Sequence, residues 1–176
     1  MQLKKNKIAL VGIGLLGGSI AQKLLREGFS IGVWNRTKKK CDFLVSSGAN
    51  LICSLNDISD NYDTIILVLK DGEITISILE KFKSLKGKLI IQMGTIGSNS
   101  SKLLEEIITK EGGYFLEAPV LGSVSEALSG KLLVMIGGNK EKFIENEYLF
   151  ASLSQKYIYF GDTSKASNTK LLLNFF

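Results

Sequence analysis

The stretch "KIALVGIGLLGGSIAQKLL", residues 7–25, decides the fold. Its first part is a short apolar run of strand type. Its second part spaces apolar residues at helical intervals, and Gly28 closes a helix predicted over 15–27. Between the two lie Gly12, Gly14 and Gly17, a G-x-G-x-x-G directly after a strand and opening a helix. In that setting each glycine has its own task. Gly12 permits a tight turn, Gly14 lets the backbone approach a pyrophosphate, and Gly17 lets the helix pack close to the strand. The first helical turn, with Leu15 and Leu16, offers unpaired N–H groups and a positive dipole end to phosphates.

Downstream, strand-like runs keep alternating with amphipathic segments. "SIGVWN" reads as a second strand, 37–47 as a helix stopped by Gly48, and "ANLICS" as a weaker third strand. "YDTIILVLK" is apolar through its middle, as in a parallel strand buried on both faces. A helix over 71–85, the strand "KLIIQMG" and a helix over 98–111 follow. "GYFLEAPV", "KLLVMIGG", a helix over 140–153, the strand "KYIYFG" and a helix from 164 to the last residue complete the chain. This alternation predicts an α/β fold: a Rossmann-type, doubly wound, mostly parallel sheet.

The end of the second strand selects the dinucleotide. NAD is usually held there by an acidic side chain on the ribose hydroxyls. This chain has Asn35, Arg36 and Thr37 instead. No carboxylate repels a 2′-phosphate, and Arg36 can face it with a planar fork of donors, Lys38 adding positive charge. NADP is the expected cofactor, with NAD still possible.

Composition narrows the chemistry. The 176 residues carry a net charge of +5, and 45% are hydrophobic. A basic balance suits an anionic ligand, but the lysines are scattered and no Arg-rich tract is interleaved with aromatics, so no nucleic-acid partner is expected. The apolar runs fall short of the ~20 residues of a membrane-spanning helix. A soluble, cytoplasmic protein is expected. Histidine is absent, which excludes an imidazole base; Lys, Asp, Glu, Tyr or Cys must carry any proton. Cys41 and Cys53, twelve positions apart, do not make a zinc site, so no metal is expected. The terminal "KLLLNFF" is too apolar for a free tail and suggests a homo-oligomer.

Five motifs in order, "GIGLLGGSIA", "VWNRT", "QMGTIGS", "FLEAPVLGS" and "SGKLLVMIGG", resemble the β-hydroxyacid dehydrogenases, the family of 3-hydroxyisobutyrate dehydrogenase. The "FLEAPV" form looks most like the glyoxylate/succinic semialdehyde reductase branch. The resemblance implies hydride transfer between a nicotinamide and a small hydroxy acid or its carboxylated aldehyde or keto acid. It places Lys170, near the start of a helix linking two domains, on the catalytic lysine that serves as acid and base. Asn174, four residues on, matches an asparagine that helps hold the substrate. Gly122 and Ser123 match the loop that binds the substrate carboxylate, Thr95 a threonine near the nicotinamide, and Leu69 with Lys70 the cofactor lining after the fourth strand. It further implies a dinucleotide-binding domain over 1–163 and, over 164–176, the start of the linking helix. The family's all-helical second domain would lie beyond Phe176, so cofactor binding with weak or no turnover is expected of this chain alone.

Three departures stand against that pattern: Leu121 where the family generally has serine, Gly94 for the serine before Thr95, and Ser164 and Ala166 for glycines before the catalytic helix. They keep two alternatives open: a non-catalytic NADP-binding module, and an imine reductase on the same scaffold. Relatives of the second kind generally lack the lysine, so Lys170 argues against it.

Overall fold

The computed structural model describes residues 7–173. Its centre is a parallel sheet of β1 (Ile8–Val11), β2 (Ile31–Trp34), β3 (Asn50–Leu51), β4 (Thr64–Leu67), β5 (Leu89–Gln92) and β6 (Tyr114–Glu117), in the order β3-β2-β1-β4-β5-β6. This is the strand order of the doubly wound dinucleotide-binding folds. Beyond β6 the sheet continues with β7 (Val120–Leu121), β8 (Leu132–Gly138) and β9 (Ser154–Tyr159). There β8 runs antiparallel to β6 and β7, and β9 runs parallel to β8.

The central strands are short, largely apolar runs because both their faces are covered. In β1, Ile8 and Leu10 enter one core while Ala9 and Val11 enter the other. In β4, Ile66 packs into the first core, and Ile65 and Leu67 into the second. The first core lies beneath α1 (Leu15–Arg26), α2 (Asp42–Ser46), α6 (Val124–Ser129), α7 (Lys140–Glu145) and α8 (Glu147–Leu153). The second lies beneath α3 (Asn56–Asn61), α4 (Gly72–Leu79) and α5 (Ser98–Lys110). Truncating one of these fully buried isoleucines to alanine would cost roughly 2–5 kcal/mol.

The helix α1 shows how the pattern works. Gly17, Ile20, Ala21 and Leu24 are buried at i, i+3, i+4 and i+7, one face of a 3.6-residue helix. Gly28, at φ +78°, ends it, and Phe29 N–H returns to Leu24 O at 3.0 Å.

Several sequence expectations are corrected. The 37–47 helix is a 3-10 turn over Lys38–Cys41 followed by α2. The third strand has only two residues, both exposed. The 71–85 helix stops at Leu79 and continues as turns. The 140–153 helix breaks at Asn146, whose amide donates to Lys142 O at 2.9 Å. The short helix α3 had no counterpart in the sequence reading. The final helix, α9 (Lys165–Leu173), starts where predicted, and its remaining residues lie outside those described. No helix among the described residues is long and apolar enough to cross a membrane.

Candidate functional site

In an open parallel sheet, ligands bind outside the carboxyl ends of the strands. The glycine loop leaves β1 at that edge. Gly12 sits at φ +103°, and a Cβ there would meet Val68 O at 2.3 Å. A Cβ on Gly17 would meet Gly12 O at 2.0 Å, so only glycine lets α1 pack this close. Gly14 differs: a Cβ there meets nothing within 4 Å. Its missing side chain leaves space on the open side of the loop, where a ligand would lie. No side chain caps α1 and no acidic residue stands in its first turn. Its free N–H groups are therefore left for an anion. Leu15 is 82% exposed at the helix tip and Leu16 is half-buried against the core. A dinucleotide pyrophosphate fits this cradle.

The exit of β2 is tied to the loop. Asn35 Oδ1 accepts from Ile13 N–H at 3.0 Å, and its amide donates to Thr37 O at 3.0 Å. The Asn35 side chain is thus spent on holding the glycine loop and the 35–37 turn in register. Arg36, Thr37 and Lys38 are exposed beside it. Among the described residues no carboxylate pairs with Arg36.

The exit of β4 brings Val68 against the glycine loop. Leu69 follows half-buried, Lys70 exposed, and Asp71 caps α4 by accepting from Ile74 N–H at 2.9 Å. Past β5, Thr95 is exposed just before α5. Gly94 is forced by its neighbour, because a Cβ there would sit 2.2 Å from Leu69 O. A serine at 94 does not fit this backbone.

Gly122 adopts φ +145°, and Ser123 follows as the N-cap of α6. The N–H and the hydroxyl of Ser123 both bear on its proposed role. Its N–H donates to Glu126 Oε2 at 2.6 Å, and its hydroxyl accepts from Glu126 N–H at 3.4 Å with Ser125 Oγ at 2.8 Å. The Ser123 N–H and side chain hold the Glu126 carboxylate below its usual range. The loop stands next to the glycine cradle. Gly14 and Leu15 line one groove together with Val124 and Leu128 of α6.

Lys170 is carried by α9, which packs against α5 and β8. It is half-buried, and desolvation pushes its ammonium pKa down. The start of α9 is held by a residue that sequence reasoning missed. Glu117, fully buried at the end of β6, accepts from Ala166 N–H at 2.9 Å and Ser167 N–H at 3.3 Å through Oε1. The Ser167 hydroxyl donates to its Oε2. The only sequence signal was an acid inside the apolar "FLEAPV", with partners some fifty residues away. Asn174 lies outside the described residues. Among the described residues no group of acidic or cysteine side chains could hold a metal ion.

Residues 7–161 match the family model described as the NAD binding domain of 6-phosphogluconate dehydrogenase. The chain is 33% identical over 173 residues to glyoxylate/succinic semialdehyde reductase 1 of Arabidopsis thaliana, covering 96% of this chain and 60% of that protein. It is 31% identical to the chloroplastic reductase 2 of the same plant, covering 95% and 48%. Among solved structures, Mycobacterium tuberculosis 3-hydroxyisobutyrate dehydrogenase with L-serine superposes with a TM-score of 0.89 at 21% identity. That superposition covers 96% of this chain and 59% of that one, and shows the fold. The chain thus spans three fifths or less of the length of these relatives. By its strand order, its glycine cradle and this match, the chain belongs to the β-hydroxyacid dehydrogenases, an oxidoreductase family that shares the NAD(P)-binding domain of 6-phosphogluconate dehydrogenase.

Proposed function

We propose that this chain is the cofactor-binding part of an NADP-dependent reductase that interconverts a small hydroxy acid and its aldehyde or keto acid, with Lys170 as general acid and base. One observation carries the reading. Lys170, whose ammonium pKa burial pushes down, sits on α9, one helical turn beyond the residues fixed at the carboxyl edge of the sheet. A lysine is ordinarily a poor acid at neutral pH, with a pKa near ~10.4, and desolvation moves it toward useful values.

Gly12, Gly14 and Gly17 would hold the pyrophosphate, with Leu15 and Leu16 N–H groups pointing at it. Arg36 and Thr37 would face a 2′-phosphate; Leu69, Lys70 and Thr95 would line the nicotinamide half. When bound, NADPH supplies the hydride for the carbonyl carbon. The Lys170 ammonium gives its proton to the carbonyl oxygen, so an alcohol leaves and a neutral amine remains to be reprotonated. In the reverse direction that amine takes the alcohol proton. Gly122 and Ser123 would receive a substrate carboxylate once the exposed Glu126 turns away.

The engaged N–H of Ser123, with Leu121 in place of a hydroxyl, favours a second reading in which the substrate is an uncharged carbonyl or an imine. Titration with NADPH, followed by reduction of glyoxylate, succinic semialdehyde, methylmalonate semialdehyde and an uncharged aldehyde, tests both. The first reading expects lysine-dependent turnover of the acids, abolished in Lys170→Ala. Turnover that survives Lys170→Ala refutes the role of Lys170. Binding without any turnover leaves a non-catalytic module.

A further inference from the structure

Among the buried polar groups away from the glycine cradle, one cluster stands out. It sits on the face of the sheet covered by α5 and α9. Glu117 and Ser101 are fully buried there, and Ser167 nearly so. Gly137 on the neighbouring β8 lies so close to Glu117 Oε1 that a Cβ there would meet it at 2.7 Å. Ser101 Oγ, in the first turns of α5, lies 3.0 Å from Ser167 Oγ. Because the Ser167 hydroxyl donates to Glu117, Ser101 is the donor in that second bond. A second tie runs from Thr163 Oγ1 to Glu105 Oε1 at 2.7 Å.

We infer that Glu117 and Ser167 are positioning residues for Lys170: they fix the rotation of α9 so that the lysine is held half-buried at the carboxyl edge of the sheet. The inference rests on the proposed role of Lys170 as proton donor. The geometry is direct. Lys170 follows Ala166 by four residues and Ser167 by three, so all three share one helical face. Glu117 grips that face by two backbone N–H groups and one hydroxyl. A negative side chain at a helix N-terminus also complements the positive end of the helix dipole. A slip of one residue would turn the helix by ~100° and carry Lys170 off the face. Of the elements packed against α9, α5 carries the charged residues Lys102, Glu105, Glu106 and Lys110 and β8 carries none, while Asp162 and Lys165 stand at the start of α9 itself.

A carboxylate could influence the lysine in two ways, and their signs differ. Acting as a nearby charge, Glu117 would favour the ammonium, and its removal would lower the pKa of Lys170. Acting as a clamp, it keeps the lysine out of water, and its removal would raise that pKa toward the ordinary value. A purely structural carboxylate would change stability and leave the pKa alone.

The test uses the full chain. Acetylation of Lys170 by acetic anhydride is followed against pH by peptide mass, with the exposed Lys102 as internal standard. In the wild type, Lys170 should reach half-maximal reactivity at a lower pH than Lys102. In Glu117→Gln and Ser167→Ala that midpoint should rise, with reactivity at fixed pH down about fivefold, a shift of ~0.7 pH unit. NADPH affinity should stay within about twofold, and reductase kcat should fall while KM holds. Ser167→Ala removes one hydroxyl and no charge, so it decides alone if Glu117→Gln does not fold. A midpoint that stays or falls in folded variants overturns the inference, as does a wild-type Lys170 that labels like Lys102. Labelling that responds as expected in a chain whose turnover ignores Lys170→Ala would uphold the clamp and remove only the proton-donor role.

Discussion

Gly14 and Gly17 are three residues apart and should fail in opposite ways when each becomes alanine. At Gly17 the new methyl would sit 2.0 Å from the backbone oxygen of Gly12 and 3.3 Å from Val68 Cβ. Neither the carbonyl nor β4 can turn aside, so α1 must retreat by more than about 1 Å from a close-packed core. Overpacking of this kind costs roughly 3 kcal/mol, at the upper end for a core insertion. At Gly14 the methyl meets nothing, and φ is −87°, which alanine adopts freely. The weaker N-cap and the stiffer unfolded chain oppose each other there, leaving stability within about 1 kcal/mol. The open side of the loop is, however, where the pyrophosphate would lie. Displacing it there loses on the order of two charge-assisted hydrogen bonds at ~1.5 kcal/mol each, or about a hundredfold in affinity. Urea unfolding measures the first effect and NADPH fluorescence titration the second. Wild-type NADPH affinity in Gly14→Ala would refute the cradle, and wild-type stability in Gly17→Ala would refute the packing.

Four further outcomes are expected. Arg36→Ala should weaken NADPH by about tenfold or more and leave NADH unchanged, as two parallel titrations will read. Ser164 is the one non-glycine residue with positive φ among those described, at +81°, so Ser164→Gly should stabilise the chain by ~1 kcal/mol and raise Tm by about 2–4 °C in calorimetry. If Lys170 is the acid, the rate of reduction should fall as pH rises through its lowered pKa, and oxidation should rise through the same window; a pH–rate profile of both directions checks the sign. Glu126→Ala should free the Ser123 N–H, while the Ser123 hydroxyl keeps its bond from the backbone N–H of residue 126, and should lower KM for carboxylated substrates several-fold, with KM for an uncharged aldehyde unmoved.

The parts of the fold that could be read from the sequence are those where one rule dominates. The strands β1, β4 and β5 are buried on both faces, so they are apolar apart from Thr64 at one end of β4 and Gln92 at one end of β5. The glycine loop was legible because a backbone constraint fixes the residue type at each position. Other features escaped because tertiary partners decided them. The helix α3 buries only Ile58 and Ser59, too few to give a helical period. The 71–85 segment keeps Phe82 and Leu85 in the core after its helix has ended, so its apolar pattern outlasts its hydrogen bonding. Glu117 looked like an ordinary acid at a strand end, because its three donors come from a helix that the chain reaches only much later. Asn35 was legible by position and not by role, since its amide serves the backbone.

The departures from the family pattern divide by location, and that division bears on function. On the cofactor side, Gly94 is imposed by the carbonyl of Leu69, which leaves no room for a serine's Cβ. The substitution there is an accommodation between the exits of two strands, and the glycine cradle beside it is intact. Before α9, Ser164 takes up the left-handed conformation a glycine would adopt, so the approach to α9 keeps its path at some energetic cost. On the substrate side nothing comparable is preserved. Leu121 presents an apolar side chain, 36% exposed, where a hydroxyl would stand; the neighbouring Ser123 N–H is closed by the Glu126 carboxylate, and the Ser123 hydroxyl accepts from the Glu126 backbone N–H. The proposed cofactor cradle therefore tolerates its substitutions, whereas the loop proposed to receive the substrate carries a changed polarity. If the proposed function holds, the chain should keep its dinucleotide cradle and be most altered in substrate range, so substrate range is the property on which the reading should be tested first.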